Sequence, residues 1–535
     1  MQTADIHHWE LILLFLMTLI ASVTALARRF QIPYPILLVM GGLVVSLIPN
    51  VPEVTLNPDI VFLVLLPPLL FIAAYHTSWR DFRLNIVSIL LLAFGLVGFT
   101  VAALGFVSGW LLPGFDHRTG FVLGALVAST DAIAASAIAR RVGLPQRIIE
   151  VLEGESLVND ASSLVALEFA VAMMVSNQAP TIGAGALRLF YLVAVGVLIG
   201  LLAGRVIRWG QAKLTDAPIE VTLTLVAPYL AYIAAESLHA SGVLATVVCG
   251  LYLGQKRSRS LSTRARLEST AVWNTLDFML NGLVFILIGF QLPHILAGIR
   301  NLSLPALLAY GALLAVVLIA LRLTWVFAES WIARVIRPLV KNPAPLVPAK
   351  ETFIVGWTGM RGVIALAAAF SLPEALNDNS AFPQRDVLIF LTFCVIMVTL
   401  VAQGLTLPFM IRKLGFAATE GTDGEEREVR RQMLSAAIHR IRVLRSPEDP
   451  SDEEALDDLL HHYQQRLEEV NSANGAEVPI GTDYEQYRIL SSQLRAVERS
   501  TILRLRDQNK INDGVLRTLE RELDLQDAGY LSTHP

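Results

Sequence analysis

The sequence predicts an all-α polytopic membrane protein, and three observations carry that fold class. Of its 535 residues, 54% are apolar and only 16% charged, with a mean hydropathy of +0.56; soluble domains carry about 25% charged residues. Thirteen runs are apolar and long enough to cross a hydrocarbon layer of about 30 Å, which takes about 20 residues of helix. Lysine and arginine alternate between successive loops, as membrane insertion requires. The formal charge of −4 implies no polyanionic partner such as nucleic acid. Cys249 and Cys394 both fall in apolar runs, which excludes a disulfide framework and a thiolate zinc site. There is no HExxH, GxSxG or Walker A pattern, and His7, His8, His76 and His239 lie near span ends, where histidines are interfacial. The chain reads as no enzyme and as carrying no cofactor.

The spans, in order, are 9–27, 33–49, 58–76, 84–112, 120–140, 150–175, 183–207, 219–236, 238–254, 271–296, 303–330, 351–372 and 386–411. The first has few basic residues before it and more spans after it, so it reads as a membrane helix and not as a cleaved signal. One set of alternate loops holds Arg28 and Arg29; Arg80 and Arg83; Arg140, Arg141 and Arg147; Arg205, Arg208 and Lys213. It continues with Lys256, Arg257, Arg259, Arg264 and Arg266; Arg334, Arg337, Lys341 and Lys350; and Arg412 and Lys413. The opposite set holds Arg118, Arg188, Arg300 and Arg385, so the count is 21 against 4. The bias puts the N-terminus outside and the C-terminus in the cytosol of a plasma (inner) membrane protein. Pro67 and Pro68 lie inside the third span, where they bend it or sit as a tolerated kink.

The charge divides the chain into a transmembrane domain, 1–414, and a cytosolic tail, 415–535. Of 46 Asp and Glu residues, 24 follow Gly415, against 15 of 42 Lys and Arg, so the tail is acidic. Its stretch from Glu448 to Asp458 reads as solvated and partly flexible. Ile489, Leu490, Leu494, Val497, Ile502, Leu503 and Leu505 recur at helical spacing, and Val515, Leu516, Leu519, Leu523 and Leu525 allow a second amphipathic helix. The tail is expected to be an appendage that aids assembly, with regulation as the alternative.

Function must lie in the polar residues inside the spans, because a charged side chain near the bilayer centre costs on the order of 2.5–3.5 kcal/mol on insertion scales. The sixth span contains Glu155, Ser156, Asn159, Asp160 and Ser163. Ser156, Asn159, Asp160 and Ser163 share one helix face at i, i+3, i+4 and i+7, with Glu155 on its edge. The fifth span carries Ser129-Thr130-Asp131, whose side chains compete with the helix for its own backbone groups. The twelfth reads Gly356-Trp357-Thr358-Gly359-Met360-Arg361-Gly362. Both are natural breaks, and paired broken spans point to a transporter site built on inverted repeats.

At these residues the sequence resembles the monovalent cation/proton antiporter-1 family, the sodium/proton exchangers, in its bacterial branch. The matching motifs are Ser129-Thr130-Asp131, Gly154-Glu155-Ser156-Leu157-Val158-Asn159-Asp160-Ala161, Ala235-Glu236 with Ser241-Gly242, and Gly359-Met360-Arg361-Gly362. The tail from Asn512-Asp513-Gly514 to Glu522-Leu523-Asp524 is similar to tails of that branch. The resemblance implies two crossing broken helices, dimerisation and core subdomains, and a homodimer in membrane lipid. It implies that Asp160 carries cation and proton, with Thr130 (through its carbonyl), Asp131 and Ser156 completing a Na+ shell. It implies that Asn159 marks the electroneutral Asn-Asp form, and that Glu155 and Arg361 tie the sixth span to the twelfth. One departure stands out: many microbial members have a carboxylate where this chain has Ile72, so an oxygen ligand they use is missing.

The residues alone support the same mechanism. Low-dielectric surroundings disfavour a bare carboxylate, so Asp160 is neutralised by a cation or by a proton, never by both. Hard oxygen ligands suit Na+, with Li+ or K+ as alternatives, better than a soft metal. Arg361 needs a partner, with Glu155 favoured over Asp131. The expected function is electroneutral, one-for-one Na+/H+ exchange by alternating access, serving cytosolic pH and sodium homeostasis. The alternatives are a K+/H+ exchanger and a gated monovalent cation channel.

Overall fold

A computed structural model describes residues 3–30, 33–48, 57–176, 182–214, 216–299, 303–339, 348–376, 380–416, 421–444, 450–471 and 484–531. Arg300, Lys341, Glu448 and Asp449 lie outside these residues, as do the side chains of Arg28, Arg140, Arg141, Arg337 and Ile489. Regular structure among the described residues is helical, with one isolated β-bridge between Ala375 and Ala381. Each apolar run falls on a helix or on a helix interrupted partway. Nine of the described helices are long and apolar enough to cross a membrane, and Leu14–Ala27 and Tyr34–Ser46 are shorter apolar ones.

The third span illustrates how the sequence sets local geometry. Asn57 caps it, its side chain accepting from the Asp59 amide at 2.8 Å. A π-helical turn, Val61–Leu65, then precedes the α-helix Leu66–His76. Pro67 and Pro68 occupy the first turn of that α-helix, where a missing N–H costs least, and the wide turn before them relieves the ring's clash with the preceding carbonyls.

Helices in lipid gain little from apolar burial against each other, so close packing through small residues decides which of them associate. The ninth span, Gly242–Ser260, is held this way on two sides. A Cβ on Gly200 of the seventh span would lie 2.3 Å from the Ala245 carbonyl oxygen, and one on Gly254 would lie 2.3 Å from the Tyr75 carbonyl oxygen of the third. A larger side chain must push whole helices apart. Gly254→Leu is therefore expected to destabilise the protein by about 1–3 kcal/mol, the usual range for overpacking. Gly98→Ala, where a Cβ meets nothing within 4 Å, is the control. Melting of both variants in detergent checks this, and equal melting temperatures would remove the ladder argument.

Compactness separates two units: residues 1–260 with 269–418, and residues 261–268 with 419–535. The second unit contains the helices Gly421–Leu444, Pro450–Asn471, Tyr484–Asp507 and Asp513–Leu531. Ile502, Leu505, Val515, Leu516, Leu519 and Leu523 are buried together with Val429 and Met433, as helical spacing predicts; Leu525 stays exposed. The acidic stretch differs from expectation. From Pro450 it is helical, because Leu456 and Leu459 are buried against Leu434, Ile438 and Ile441 while Asp457 and Asp458 stay exposed. Residues 261–268, which include the start of the helix Thr263–Phe290, belong to this unit through Arg266, whose Nε and Nη2 donate to Asp524 at 3.1 and 2.8 Å. Arg499 donates to the same carboxylate at 2.8 Å.

Candidate functional site

The fifth span stops at Ala128 and restarts at Ala132; the twelfth stops at Trp357 and restarts at Val363. At the first break, Asp131 caps the restarted helix, its Oδ1 accepting from the Ile133 amide at 2.8 Å. At the second, two glycines make room. A Cβ on Gly359 would lie 2.3 Å from Arg322 Cδ, and one on Gly362 would lie 2.6 Å from Asp131 Cβ. That clearance lets the two breaks touch: the Asp131 amide donates to the Met360 carbonyl at 2.8 Å. The broken spans thus meet backbone to backbone.

The sixth span, the helix Gln146–Ser176, runs unbroken beside this contact. Of the polar residues picked from its sequence, Glu155, Ser156, Asn159 and Asp160 turn toward the first break, whereas Ser163 Oγ donates back to the Asp160 carbonyl at 3.0 Å. Ser129 Oγ donates to Asp160 Oδ1 at 2.5 Å. Asn159 Nδ2 donates to Thr130 Oγ1 at 2.5 Å, and that hydroxyl donates to Glu155 Oε1 at 3.1 Å. Ser156 Oγ accepts from the Ala132 amide at 3.3 Å. Asp160 is only 4% exposed. Asn159 Oδ1 is buried without a hydrogen-bond partner. The arrangement offers hydroxyl, carboxylate and amide oxygens in a confined space, a donor set that fits a hard monovalent cation.

One expected contact is corrected. Glu155 pairs with Arg322 of the eleventh span, not with Arg361: Nη1 and Nη2 reach Oε1 and Oε2 at 2.5 and 2.8 Å, with both side chains 1% exposed. Arg322 also donates to the Val355 carbonyl, which ties in the twelfth span. Arg361 instead donates through Nη1 to the Ala128 and Ser129 carbonyls, both at 3.2 Å. The reason is the break itself. It leaves helix-end carbonyls without amide partners and with partial negative charge, and a guanidinium satisfies both needs. No ion pair to Asp131, the other partner considered for Arg361, is found among the described residues.

Arg322 was open to the same reasoning that singled out Arg361. It is the one arginine in the apolar run 303–330, and the cost of a charge there demands a partner. Asp277 and Asn281 in the tenth span carried that signal as well. Elsewhere, Glu236 takes a capping role, accepting from the Gly242 amide at 3.2 Å where the ninth span begins. Ile72 is buried in an apolar cluster with Phe71, Tyr75 and Trp273, so the third span supplies no side-chain oxygen at that position.

Crossing interrupted helices, with a buried carboxylate beside their free ends, define a secondary transporter. A sequence model of the transmembrane region of sodium/hydrogen exchangers matches residues 13–413, and the chain belongs to that family. It is 31% identical over 533 residues to an uncharacterized Na(+)/H(+) exchanger of Mycobacterium tuberculosis, covering 97% of this chain and 96% of that one. A sodium, potassium, lithium and rubidium/H(+) antiporter of Bacillus pumilus is 32% identical over 474 residues, 86% of this chain and 69% of that one. Among solved structures, the sodium proton antiporter MjNhaP1 from Methanocaldococcus jannaschii at pH 8 superposes with a TM-score of 0.60. That match has 19% identity and covers 76% of this chain and 99% of the other, so the fold is shared.

Proposed function

We propose that this protein exchanges a monovalent cation, Na+ first, for H+ across the plasma membrane, one for one and by alternating access. The observation that carries the reading is Asp160, buried beside the helix breaks with a single hydroxyl donor from Ser129. The charges around it support the stoichiometry. Glu155 is balanced by Arg322, and at the breaks Arg361 adds one positive charge and Asp131 one negative, with no ion pair between them among the described residues. Asp160 then stands as one uncompensated negative charge. A sodium ion or a proton neutralises it equally, so both loaded forms carry the same charge. Ser129, Ser156, the Thr130 carbonyl and Asp131 complete the shell in this reading, while Asn159 adds no second ionisable group. The chain works as a homodimer, N-terminus outside and tail in the cytosol, and serves cytosolic pH and sodium homeostasis. The Bacillus relative's name covers four alkali cations, so K+ and Li+ belong in the test.

Reconstituted into liposomes with an internal pH dye, the protein is expected to dissipate a pH gradient when Na+ is added, and to pass no current at fixed pH. Current at fixed pH would favour a channel. A 100 mV potential acts on each net charge moved with about 2.3 kcal/mol, roughly fiftyfold in an equilibrium ratio. The sodium gradient that balances a given pH gradient should not move when a potassium–valinomycin potential is imposed, provided K+ itself proves not to be exchanged. A shift of the size set by one charge per cycle would refute the one-for-one count.

A further inference from the structure

Asp277 is a carboxylate inside the spans that the carrier site does not use. Asp277 lies fourteen residues into the helix Thr263–Phe290, roughly 21 Å along it at 1.5 Å per residue. No ion pair ties it to a cationic side chain among the described residues. Its hydrogen bond comes from Asn281, one turn on, whose Nδ2 donates to Asp277 Oδ1 at 2.8 Å. Asn281 is 1% exposed, and its Oδ1 is buried with no partner. The amide nitrogen is thus committed to the carboxylate while the amide oxygen, a strong acceptor, is left orphaned. Buried polar groups in that state call for a bound water or ion.

Packing sets the helix that carries this pair against the second span. A Cβ on Gly42 would lie 2.3 Å from the Ile286 carbonyl oxygen, and one on Gly289 would lie 2.3 Å from the Val39 carbonyl oxygen. The second and tenth spans are therefore pressed together there, and Tyr34 and Asp277 both lie N-terminal to that contact. A water would satisfy the amide oxygen but not the carboxylate beside it. Charge balance asks for a cation, and one negative charge with a neutral amide oxygen beside it suits a monovalent one.

We infer that Asp277 and Asn281 form a second monovalent-cation site, separate from Asp160. Its purpose rests on the exchanger reading, but its chemistry does not, and binding can be measured without transport. The experiment titrates Na+ at constant ionic strength, with choline as the replacement, and follows the melting temperature of the purified full-length protein. In Asp160→Asn, with the carrier site removed, Na+ is expected still to raise the melting temperature saturably. Adding Asp277→Asn should abolish that rise. Asn281→Leu in the same background should move the half-saturating Na+ concentration up at least tenfold, and it decides the matter alone if the aspartate variant cannot be purified. No saturable rise in Asp160→Asn, or a rise indifferent to these second substitutions, overturns the site. Residual binding in a protein whose natural sequence exchanges nothing would support the site and count against the exchanger reading alone.

Discussion

Asp160→Asn is expected to abolish cation-dependent proton movement while leaving a folded protein. The substitution keeps the shape of the side chain and its ability to accept from Ser129 Oγ. It removes the negative charge that cation and proton neutralise in the proposed exchange. A neutral amide binds neither a proton in the working pH range nor a cation with useful strength, so both half-reactions fail together. The measurement is dye-reported exchange in proteoliposomes, alongside melting and size-exclusion profiles that match the natural protein. Sodium-dependent proton flux retained in this variant would move the carrier role elsewhere.

The second large effect concerns the buried ion pair. Arg322→Ala strands Glu155 at 0% exposure, and an uncompensated buried charge costs about 3–5 kcal/mol. Losing Arg361 strands no carboxylate. It leaves the Ala128 and Ser129 carbonyls short of a donor, at about 1–3 kcal/mol for an unmet buried polar group. Thermal unfolding in detergent should therefore rank Arg322→Ala below Arg361→Ala. Glu155→Gln combined with Arg322→Met, which removes both charges, should recover much of the loss. The reverse ranking would mean that the pairing in the membrane is Glu155 with Arg361 after all.

Much of this site was legible in the sequence because its signals are local. Helical spacing aligns Ser156, Asn159 and Asp160 on one face whatever the tertiary structure. Ser129-Thr130-Asp131 and the glycines around Arg361 weaken a helix by their own chemistry, and the breaks fall there. Partner choice was not legible, because it depends on which distant helix comes near. Arg361 and Arg322 are equally expensive in lipid, and nothing in the spacing says that one faces Glu155 while the other faces two free carbonyls. The capping demand of a broken helix end decided it, and that demand exists only once the break is formed. Tail helices were legible from their leucine periodicity. The helix that starts at Pro450 was not read from the acidic stretch Glu448 to Asp458 because charge density masked two leucines, Leu456 and Leu459, that face inward.

The junction of Arg266 with Asp524 bears on how the tail should be studied. Cutting the chain after residue 415 is the obvious way to ask whether a cytosolic extension controls a transporter. Here the cut also removes the carboxylate on which Arg266, 5% exposed, and Arg499 converge. Arg266 sits in the first turn of the helix that carries Asp277. A truncated protein therefore begins its tenth span with a guanidinium deprived of its counter-charge. Slower turnover in such a deletion reports an altered helix start as readily as a missing controller. Asp524→Asn in the full-length chain separates the two, since it relaxes the junction and keeps every tail helix.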